Sequence, residues 1–366
     1  MRITVIYLGR LGAGTVYSLE MAKALSNYSQ IQLILSENIE NRDVWENNFK
    51  NNTNVIMTFF PTYTNGISFF LNSFNLKNYY KIIKHIKSFR PNAIYAPFMH
   101  LWSSLLYLFL QKFEIYSTVH DVKIHLGENL LLYPPHIAGI KLSHNLIILN
   151  NKDVDAAAQM GFKKSEICVI PHASFSYYKK ENLNHNKELK NNILFIGRIE
   201  KYKGIHLLLD SFKIININRP DLKLTIAGSG NLKPYEKEIS GLHKSLVINN
   251  KWLSDDEIGN LINECDFLVL PYIDASQSGI IPLAFGCGKT VIVTDVGALR
   301  EQVHIGTGII VNPSIPEIVG AIEFLYENPE KINEFSSNAL NYSLKELSWE
   351  KSAATLINFI EEKNKI

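Results

Sequence analysis

The sequence predicts an α/β protein of two doubly wound, Rossmann-like domains that face a cleft. Short apolar strands alternate with helix-like segments along the whole chain, which is typical of parallel sheets flanked by helices. A polar, aperiodic segment rich in lysine and asparagine interrupts this alternation near the middle. The chain has 366 residues, which is too long for one ordinary core but suits two domains.

In the first half, short apolar runs predict the strands of one parallel sheet. Helix-like periodicity covers 15–26, 76–89 and 153–160, and these segments would flank that sheet. The predicted strands are 3–8, 31–35, 54–58, 93–96, 115–119, 146–149 and 168–171.

The polar segment sets the domain boundaries. We predict an N-terminal domain over 1–173, a linker over 174–191 and a C-terminal domain over 192–345. The amphipathic pattern of 346–366 predicts a last helix, which we expect to pack back toward the N-terminal domain. The predicted strands of the C-terminal domain are 193–196, 223–227, 246–249, 267–270, 290–293 and 308–310, with a helix over 205–212.

The composition excludes several classes of protein. Apolar residues make up 46% and charged residues 20% of the chain, as in soluble globular proteins. The formal net charge of +2 gives no reason to expect a nucleic-acid partner. Cys168, Cys265 and Cys287 are far apart, which favours buried reduced thiols over disulfides or metal ligands.

The sequence also favours a cytoplasmic protein. Its N-terminus reads as a first strand, with an apolar run too short for a signal peptide. The longest apolar stretch, 101–110, is well short of a bilayer crossing. A peripheral contact with the inner face of the cell membrane is compatible with both observations.

The pattern most informative about function lies in the second half. A predicted strand ends at Gly197 and Arg198, and Lys203 follows just before a helix-like run. Another predicted strand, 267–270, leads into a small polar loop that opens a helix. Helix N-termini offer free N–H groups and a positive dipole end, and Arg and Lys add full charge. We therefore predict a nucleotide-diphosphate site at these strand ends, in the cleft between the domains.

The order of these motifs resembles the family-four retaining glycosyltransferases of GT-B fold. The resemblance rests on 195–204, on 226–230 and on 267–297, and the first half matches more loosely through 12–14 and 119–121. It implies a GT-B fold and transfer of a sugar, with retention, from a nucleoside-diphosphate donor to a glycan or lipid-linked acceptor. It also implies a role in bacterial surface polysaccharide synthesis.

The resemblance implies that Arg198 and Lys203 hold the donor diphosphate. Two cations roughly offset the charge of a leaving diphosphate, so we expect no metal and no other cofactor. The alternative is that both are solvated charges at a helix start, although the helix dipole disfavours a cation there unless an anion is bound. The other donor-binding residues that we predict are Gly12, Gly14, Gly197, Gly228, Ser229, Gly230, Trp252, Leu253, Asp274, Gln277, Ser278, Gly279 and Ile280.

Two of these donor segments have ordinary structural alternatives. The turn at 228–230 lets the backbone approach a ligand closely, but it is also compatible with a plain tight turn. Trp252 and Leu253 match the family's base-contacting loop. The adjacent Ser254 and Glu257 form the pattern of a helix capping box.

The loop at 274–280 departs from the commonest family pattern, which has a pair of glutamates. Ungapped alignment puts Ala275 and Leu283 at those positions, and neither side chain accepts a hydrogen bond. The sequence Gln-Ser-Gly at 277–279 resembles a subgroup without the acidic pair. The resemblance implies that 278–280 present N–H groups to the distal phosphate, while Asp274 or Gln277 binds the sugar hydroxyls.

In the first half, a predicted strand ends in His120 and Asp121. By resemblance, His120 acts in catalysis beside the reacting carbon of the donor sugar. We predict that His100, Asp121, His125 and Glu128 bind the acceptor. A hydrogen-bonded structural role for His100 stays open. A metal site formed by His120 and His125 with the neighbouring carboxylates also stays open, although the spacing matches no zinc motif.

Two further segments have less specific patterns. The loop from Gly9 to Thr15 has the wrong spacing for a dinucleotide motif. In a glycosyltransferase, its Gly12 and Gly14 would contact the donor phosphate or the acceptor. His172, which follows Pro171, is expected to be structural or part of a hinge.

A basic and aromatic surface is predicted beside the apolar stretch 101–110. Such a surface binds anionic membranes when its helix is amphipathic, and a solvated helix face is the alternative. Its residues are Lys77, Tyr79, Tyr80, Lys81, Lys84, Lys87 and Arg90.

Two other functions stay open. Sugar-nucleotide epimerases share the two-domain fold, and His120 with His125 or Glu128 would have to supply the acid and base. The absent glutamate pair is also compatible with a non-catalytic protein that binds a nucleotide sugar.

Overall fold

The computed structural model describes residues 1–122, 133–175, 189–242 and 244–365. The predicted acceptor residues His125 and Glu128 lie outside the described residues. The chain divides into two compact units. Among the described residues, the first unit contains 1–122, 133–171 and 349–365, and the second contains 172–348.

The first unit is built on a seven-stranded parallel sheet. Its strands are β1 (Arg2–Tyr7), β2 (Gln30–Ser36), β3 (Val55–Phe60), β4 (Ala93–Ala96), β5 (Glu114–Val119), β6 (Asn145–Ile148) and β7 (Ile167–Val169). The order across the sheet is β3-β2-β1-β4-β5-β6-β7. The central strands are buried along almost their whole length, as expected when helices cover both faces of a parallel sheet.

The helices of the first unit connect successive strands. They are α1 (Ala13–Ser26), α2 (Arg42–Phe49), α3 (Gly66–Asn72), α4 (Leu76–Phe89), α5 (Ser103–Leu110), α6 (Tyr133–Lys141) and α7 (Asp153–Gln159). The predicted helices 15–26, 76–89 and 153–160 correspond to α1, α4 and α7.

The second unit is built on a six-stranded parallel sheet. Its strands are β8 (Asn192–Ile196), β9 (Lys223–Ala227), β10 (Leu246–Asn249), β11 (Phe267–Leu270), β12 (Val291–Thr294) and β13 (Gly308–Val311). They are arranged in the order β10-β9-β8-β11-β12-β13. The helices of this unit are α8 (Ile205–Asn218), α9 (Glu236–Ser240), α10 (Asp255–Asn263), α11 (Ile280–Gly286), α12 (Leu299–Gln302), α13 (Ile315–Glu327) and α14 (Pro329–Glu346).

The last helix, α15 (Trp349–Asn364), clusters with the first unit. The Trp349 ring meets the Tyr17 ring of α1 edge to face, with 4.9 Å between centroids. Ala353, Leu356 and Ile360 are buried along one side. No helix in the described part of the chain is long and apolar enough to span a bilayer.

Both sheets have a topological switch point. Strand order reverses between β1 and β4 in the first sheet and between β8 and β11 in the second. Loops that leave neighbouring parallel strands in opposite directions open a crevice at the carboxyl edge, where ligands bind in such folds. The predicted strands agree with the observed ones within two residues at each end, and the prediction of two Rossmann-like domains is confirmed.

Candidate functional site

The loop after β8 brings two cations to one tyrosine. Tyr202 is buried in a short 3-10 turn, Lys201–Lys203. Arg198 Nη2 donates a hydrogen bond to the Tyr202 hydroxyl at 3.2 Å. Lys203 Nζ lies 4.9 Å from the centroid of the same ring. Because the ring is buried and fixed, it holds both predicted diphosphate ligands close together.

Lys203 also reaches across the switch point to the loop after β11. Its Nζ lies 3.8 Å from the ring centroid of Tyr272, which is fully buried. A cation over an aromatic face is attracted electrostatically while its N–H groups remain able to donate. Within the described residues, Lys203 forms no ion pair with a carboxylate. Its charge is therefore available to an anionic ligand.

The loops after β8 and β11 are in close backbone contact. The Ile273 amide donates to the Tyr202 carbonyl at 2.8 Å. Gly204 has φ +66°, and a Cβ there would lie 1.9 Å from the Pro271 carbonyl oxygen. Only glycine permits both the left-handed backbone and this approach. The position of Lys203 is thus set by its glycine neighbour.

The loop at 274–280 is fixed by hydrogen bonds of Ser278. The Ser278 amide donates to Gln302 Oε1 at 2.7 Å, and Gln302 Nε2 donates back to the Ser278 carbonyl at 3.0 Å. The Ile280 amide donates to the Ser278 hydroxyl at 3.3 Å. The amides of Ser278 and Ile280 therefore already have partners within the loop and its neighbour, and their contact with the distal phosphate stays a prediction.

Gln277 carries an unsatisfied acceptor in this loop. Its Oε1 is buried and has no hydrogen-bond partner among the residues that the structure describes. A buried acceptor without a donor costs free energy, which a ligand hydroxyl can recover. Asp274 is half-buried nearby in the loop, and its amide donates to the Tyr202 carbonyl at 3.4 Å. Ala275 and Leu283 are 5% and 6% exposed, so both positions of the family's glutamate pair are buried.

The glycines at 228–230 fit the neighbouring loop. A Cβ on Gly228 would lie 2.0 Å from the Gly197 carbonyl oxygen, and one on Gly230 would lie 2.4 Å from that of Ile199. The Gly230 amide donates to Asn250 Oδ1 at 3.1 Å. The backbone that approaches this turn closely is that of the Arg198 loop, and approach to a ligand stays a prediction. The glycines thereby help to hold that cation at the sheet edge.

The segment after β10 combines an exposed tryptophan with a helix cap. Trp252 is 60% exposed, and a flat ring at this edge is suited to stacking. The Ser254 hydroxyl accepts from the Glu257 amide at 3.3 Å, and Glu257 Oε2 accepts from the Ser254 amide at 2.9 Å. The capping-box prediction is confirmed. Lys251 pairs with Glu257, and its hydrogen bond lowers the pKa of that carboxyl.

His172 lies beside the same loop, which the sequence did not indicate. It is buried, and a Cβ on Gly279 would lie 3.5 Å from its Nε2. Its Nδ1 donates to the Ala173 carbonyl at 2.9 Å. The only local signal was a histidine after the last strand of the first half. A Cβ at position 279 would thus be in ordinary van der Waals contact with this imidazole.

The glycine loop of the first unit does not offer an open phosphate cradle. The Gly12 amide donates to Glu40 Oε2 at 2.9 Å. This amide is therefore already paired with a carboxylate, and the contact of Gly12 with the donor phosphate or the acceptor stays a prediction. A Cβ on Gly14 would lie 3.0 Å from both the Phe98 ring and the Tyr7 hydroxyl. Glycine at position 14 is therefore explained by packing at the switch point of the first sheet.

His120 is held as a neutral imidazole at the end of β5. Its Nε2 donates to the Pro97 carbonyl at 3.0 Å. The ring packs 4.3 Å from the Phe98 ring and 4.7 Å from the Tyr17 ring, measured between centroids. Burial lowers the pKa of His120. The adjacent Asp121 accepts at its backbone carbonyl from His136 Nε2 at 3.3 Å.

His100 is hydrogen-bonded within the first unit, as in the structural alternative, and its role with the acceptor stays a prediction. Its Nδ1 accepts from the Trp102 amide at 3.2 Å, and its Nε2 donates to the Tyr63 hydroxyl at 3.2 Å. Both ring nitrogens are thus occupied. The Tyr63 ring stacks on it, with 5.6 Å between centroids.

The burial of His100 leads to a stability prediction. Burial lowers its pKa from 6.5 to about 4, so the fold stabilises the neutral form. This contribution is present above pH 6.5 and is lost as the pH falls toward 4. We expect the free energy of unfolding to fall by about 1–3 kcal/mol more in the wild type than in His100→Gln over this range. Denaturant titrations at both pH values measure the difference, and parallel losses in the two proteins would contradict the prediction.

No cluster of three or more His, Cys, Asp or Glu residues suited to a metal ion occurs in the described part of the chain. Cys265 and Cys287 are buried and reduced, as predicted, and Cys168 is reduced but only half-buried.

Comparisons with known proteins show similarity to glycosyltransferases. Residues 178–342 match the family model of glycosyl transferases group 1. The D-inositol 3-phosphate glycosyltransferase of Paenarthrobacter aurescens (strain TC1) is 28% identical over 180 residues, which is 46% of this chain and 43% of that protein. An uncharacterized 41.2 kDa protein in the cps region of Klebsiella pneumoniae is 29% identical over 201 residues, 51% of this chain and 54% of that protein.

Similarity of fold extends over the whole chain. The crystal structure of Anabaena HepE in complex with UDP-glucose has a TM-score of 0.71 and 16% identity, and the match covers 100% of both chains. The predicted GT-B fold is thereby confirmed. By sequence, the chain spans about half the length of the curated relatives it matches. The sequence similarity to glycosyl transferases group 1 therefore lies in the unit that carries Arg198 and Lys203.

Proposed function

We propose that this protein is a retaining glycosyltransferase that transfers a sugar from a nucleoside-diphosphate donor to a glycan or lipid-linked acceptor. The observation that supports this proposal most directly is that Arg198 and Lys203 both contact Tyr202. Lys203 also contacts the Tyr272 ring across the switch point of the second sheet. All four residues lie within the segment that matches glycosyl transferases group 1. The presence of UDP-glucose in HepE makes UDP-sugars the first donors to test.

In the proposed reaction, the acceptor oxygen bonds to the anomeric carbon as the bond to the diphosphate breaks. Negative charge then grows on the leaving diphosphate. Preorganised cations stabilise such charge because they need not reorganise as it forms. An oxygen of the leaving group takes the acceptor proton on the same face, which gives retention. We infer retention from the family resemblance.

Two full charges on the protein support a reaction that needs no metal and no other cofactor. Lys203 contributes an ammonium and Arg198 a guanidinium, which binds phosphate oxygens in pairs. Together they roughly offset the charge of a diphosphate. The relative in a cps region supports a role in bacterial surface polysaccharide synthesis.

Gln277 is proposed to recognise the sugar. Its buried, unpartnered Oε1 suits a sugar hydroxyl donor. We expect Gln277→Ala to weaken binding of the nucleotide sugar about 10-fold. Binding of the nucleoside diphosphate alone should not change, because the lost contact is with the sugar. Calorimetric titration of Gln277→Ala with the nucleotide sugar and with the nucleoside diphosphate provides its own control. Equal losses of affinity for the two ligands would contradict this role.

The function is tested by screening nucleotide sugars for thermal stabilisation and then following the products by NMR. We expect release of the nucleoside diphosphate when glycan or lipid-linked acceptors are added, with the anomeric configuration kept and no effect of EDTA. Conversion of the sugar without an acceptor would indicate an epimerase. Binding without turnover would indicate a non-catalytic protein. Either result would overturn the proposal.

A further inference from the structure

An exposed apolar cluster lies on the first unit, on α3 and the start of α4. Six large apolar side chains within residues 67–80 are each between 63% and 77% exposed. They are Ile67, Phe70, Leu71, Phe74, Leu76 and Tyr80. Single exposed apolar residues are ordinary, but a contiguous group marks an interaction surface. The Phe70 and Phe74 rings contact each other, with 5.3 Å between centroids, so the cluster is continuous there.

The outward side of α5 extends this apolar surface. Leu105, Leu108 and Phe109 are 41%, 56% and 62% exposed, at the spacing of one helix face. The opposite sides of α4 and α5 bury Ile82 and Leu106 in the same core cluster. Because the two helices pack side by side on that core, their exposed sides point outward together. We call α3 with the outward sides of α4 and α5 the α3–α5 face.

The α3–α5 face is also strongly basic. Helix α4 carries four exposed lysines and no acidic residue, and Arg90 follows at its C-cap. The lysines recur every three or four residues, which places them on one side of the helix. None of them forms an ion pair within the described residues. They are Lys77, Lys81, Lys84 and Lys87.

We propose that the α3–α5 face binds the surface of an anionic membrane. Phenylalanine and leucine side chains would enter the boundary between headgroups and acyl chains, as in interfacial amphipathic helices. Lysines beside them reach the phosphates through their flexible stems. A second copy of this chain fits the face less well, because a symmetric contact would bring the lysine rows toward each other.

The face is held rigidly by aromatic packing. The Phe69 ring of α3 contacts the Tyr63 ring at 5.0 Å and stacks on Trp102 at 5.8 Å, measured between centroids. Helix α3 follows β3, so it lies at the carboxyl edge of the first sheet. Bilayer contact would therefore hold that edge beside the headgroups. The inference stands on this unit alone and does not depend on the proposed transferase activity.

The test is flotation of the purified full-length protein with lipid vesicles. Vesicles of phosphatidylcholine alone are compared with an equal mixture of phosphatidylcholine and phosphatidylglycerol, in low and in high salt. We expect binding to the anionic vesicles in low salt only. Changing all four lysines of α4 to glutamine should weaken binding at least about 100-fold. Phe70→Ser with Phe74→Ser should weaken it at least about 10-fold.

Matched controls use exposed residues elsewhere. Ile217 and Ile305 are 79% and 94% exposed, so Ile217→Ser with Ile305→Ser removes comparable apolar surface. Changing Lys50, Lys223, Lys237 and Lys345 to glutamine removes the same charge from other exposed positions. Both controls should bind anionic vesicles like the wild type.

Three outcomes would overturn the proposal. One is equal binding to neutral and anionic vesicles, and another is equal loss in the controls and in the α3–α5 variants. The third is a wild-type dimer that becomes a monomer in Phe70→Ser with Phe74→Ser and binds no vesicles, which would make the face a contact between copies. Thermal unfolding and light scattering of each variant confirm that it is folded and report its mass.

Discussion

Replacing Arg198 or Lys203 by alanine is expected to weaken binding of the nucleoside diphosphate about 10- to 100-fold each. Hydrogen bonds from charged donors contribute about 1.5–3 kcal/mol apiece, which corresponds to this range. The double variant should lose less than the product of the two effects, because both side chains contact Tyr202 and neighbouring sites are not additive. Isothermal titration calorimetry measures all three variants.

Lys201 is the matched control for these substitutions. It lies in the same 3-10 turn as Lys203 and is exposed, so Lys201→Ala removes the same charge without removing a proposed ligand. We expect its diphosphate affinity to stay within about a factor of three of the wild type, the size of a screened surface effect. Equal losses in Lys201→Ala and Lys203→Ala would show that only the net charge matters.

Gly204→Ala is expected to impair binding without removing any ligand contact. The new Cβ would lie 1.9 Å from the Pro271 carbonyl oxygen, so the loops after β8 and β11 must move apart. The left-handed backbone at φ +66° adds strain for alanine. We expect the free energy of unfolding to fall by about 2–4 kcal/mol. Diphosphate affinity should fall about 10-fold as Lys203 shifts from Tyr272.

Gly161→Ala separates the effect of the left-handed backbone from that of the contact with Pro271. Gly161 also has positive φ, at +106°, but a Cβ there meets nothing within 4 Å. This variant should lose only the backbone contribution of about 1–2 kcal/mol and should bind the diphosphate like the wild type. Thermal unfolding and calorimetry compare the pair. If both glycine variants lost the same stability and neither lost affinity, the contact with Pro271 would not position Lys203.

The strands of both sheets were predictable because central strands of covered parallel sheets are continuous apolar runs. Phe267–Leu270, for example, is buried at all four positions. Helix α5 gave no periodic signal, since Leu105, Leu108 and Phe109 are apolar on its exposed side as well. These exposed apolar side chains removed the periodic pattern of α5 from the sequence, and in the structure they form part of the α3–α5 face.

The cations of the candidate site were predictable, but the hydrogen-bond partners of the loop amides were not. Arg198 and Lys203 follow a strand and precede a helix within one short segment, so local sequence shows them. The partner of the Ser278 amide is Gln302, 24 residues away, and that of the Gly12 amide is Glu40, 28 residues away. No local pattern connects such residues, because the fold alone brings their loops together.

The central claim is that Arg198 and Lys203 form the diphosphate site. The most direct test compares the affinity of the preferred nucleoside diphosphate with that of its monophosphate, in the wild type and in the Arg198→Ala, Lys203→Ala double variant. We expect the wild type to prefer the diphosphate strongly, and the double variant to bind the two almost equally while keeping its monophosphate affinity. An unchanged preference for the diphosphate in the double variant would contradict the claim.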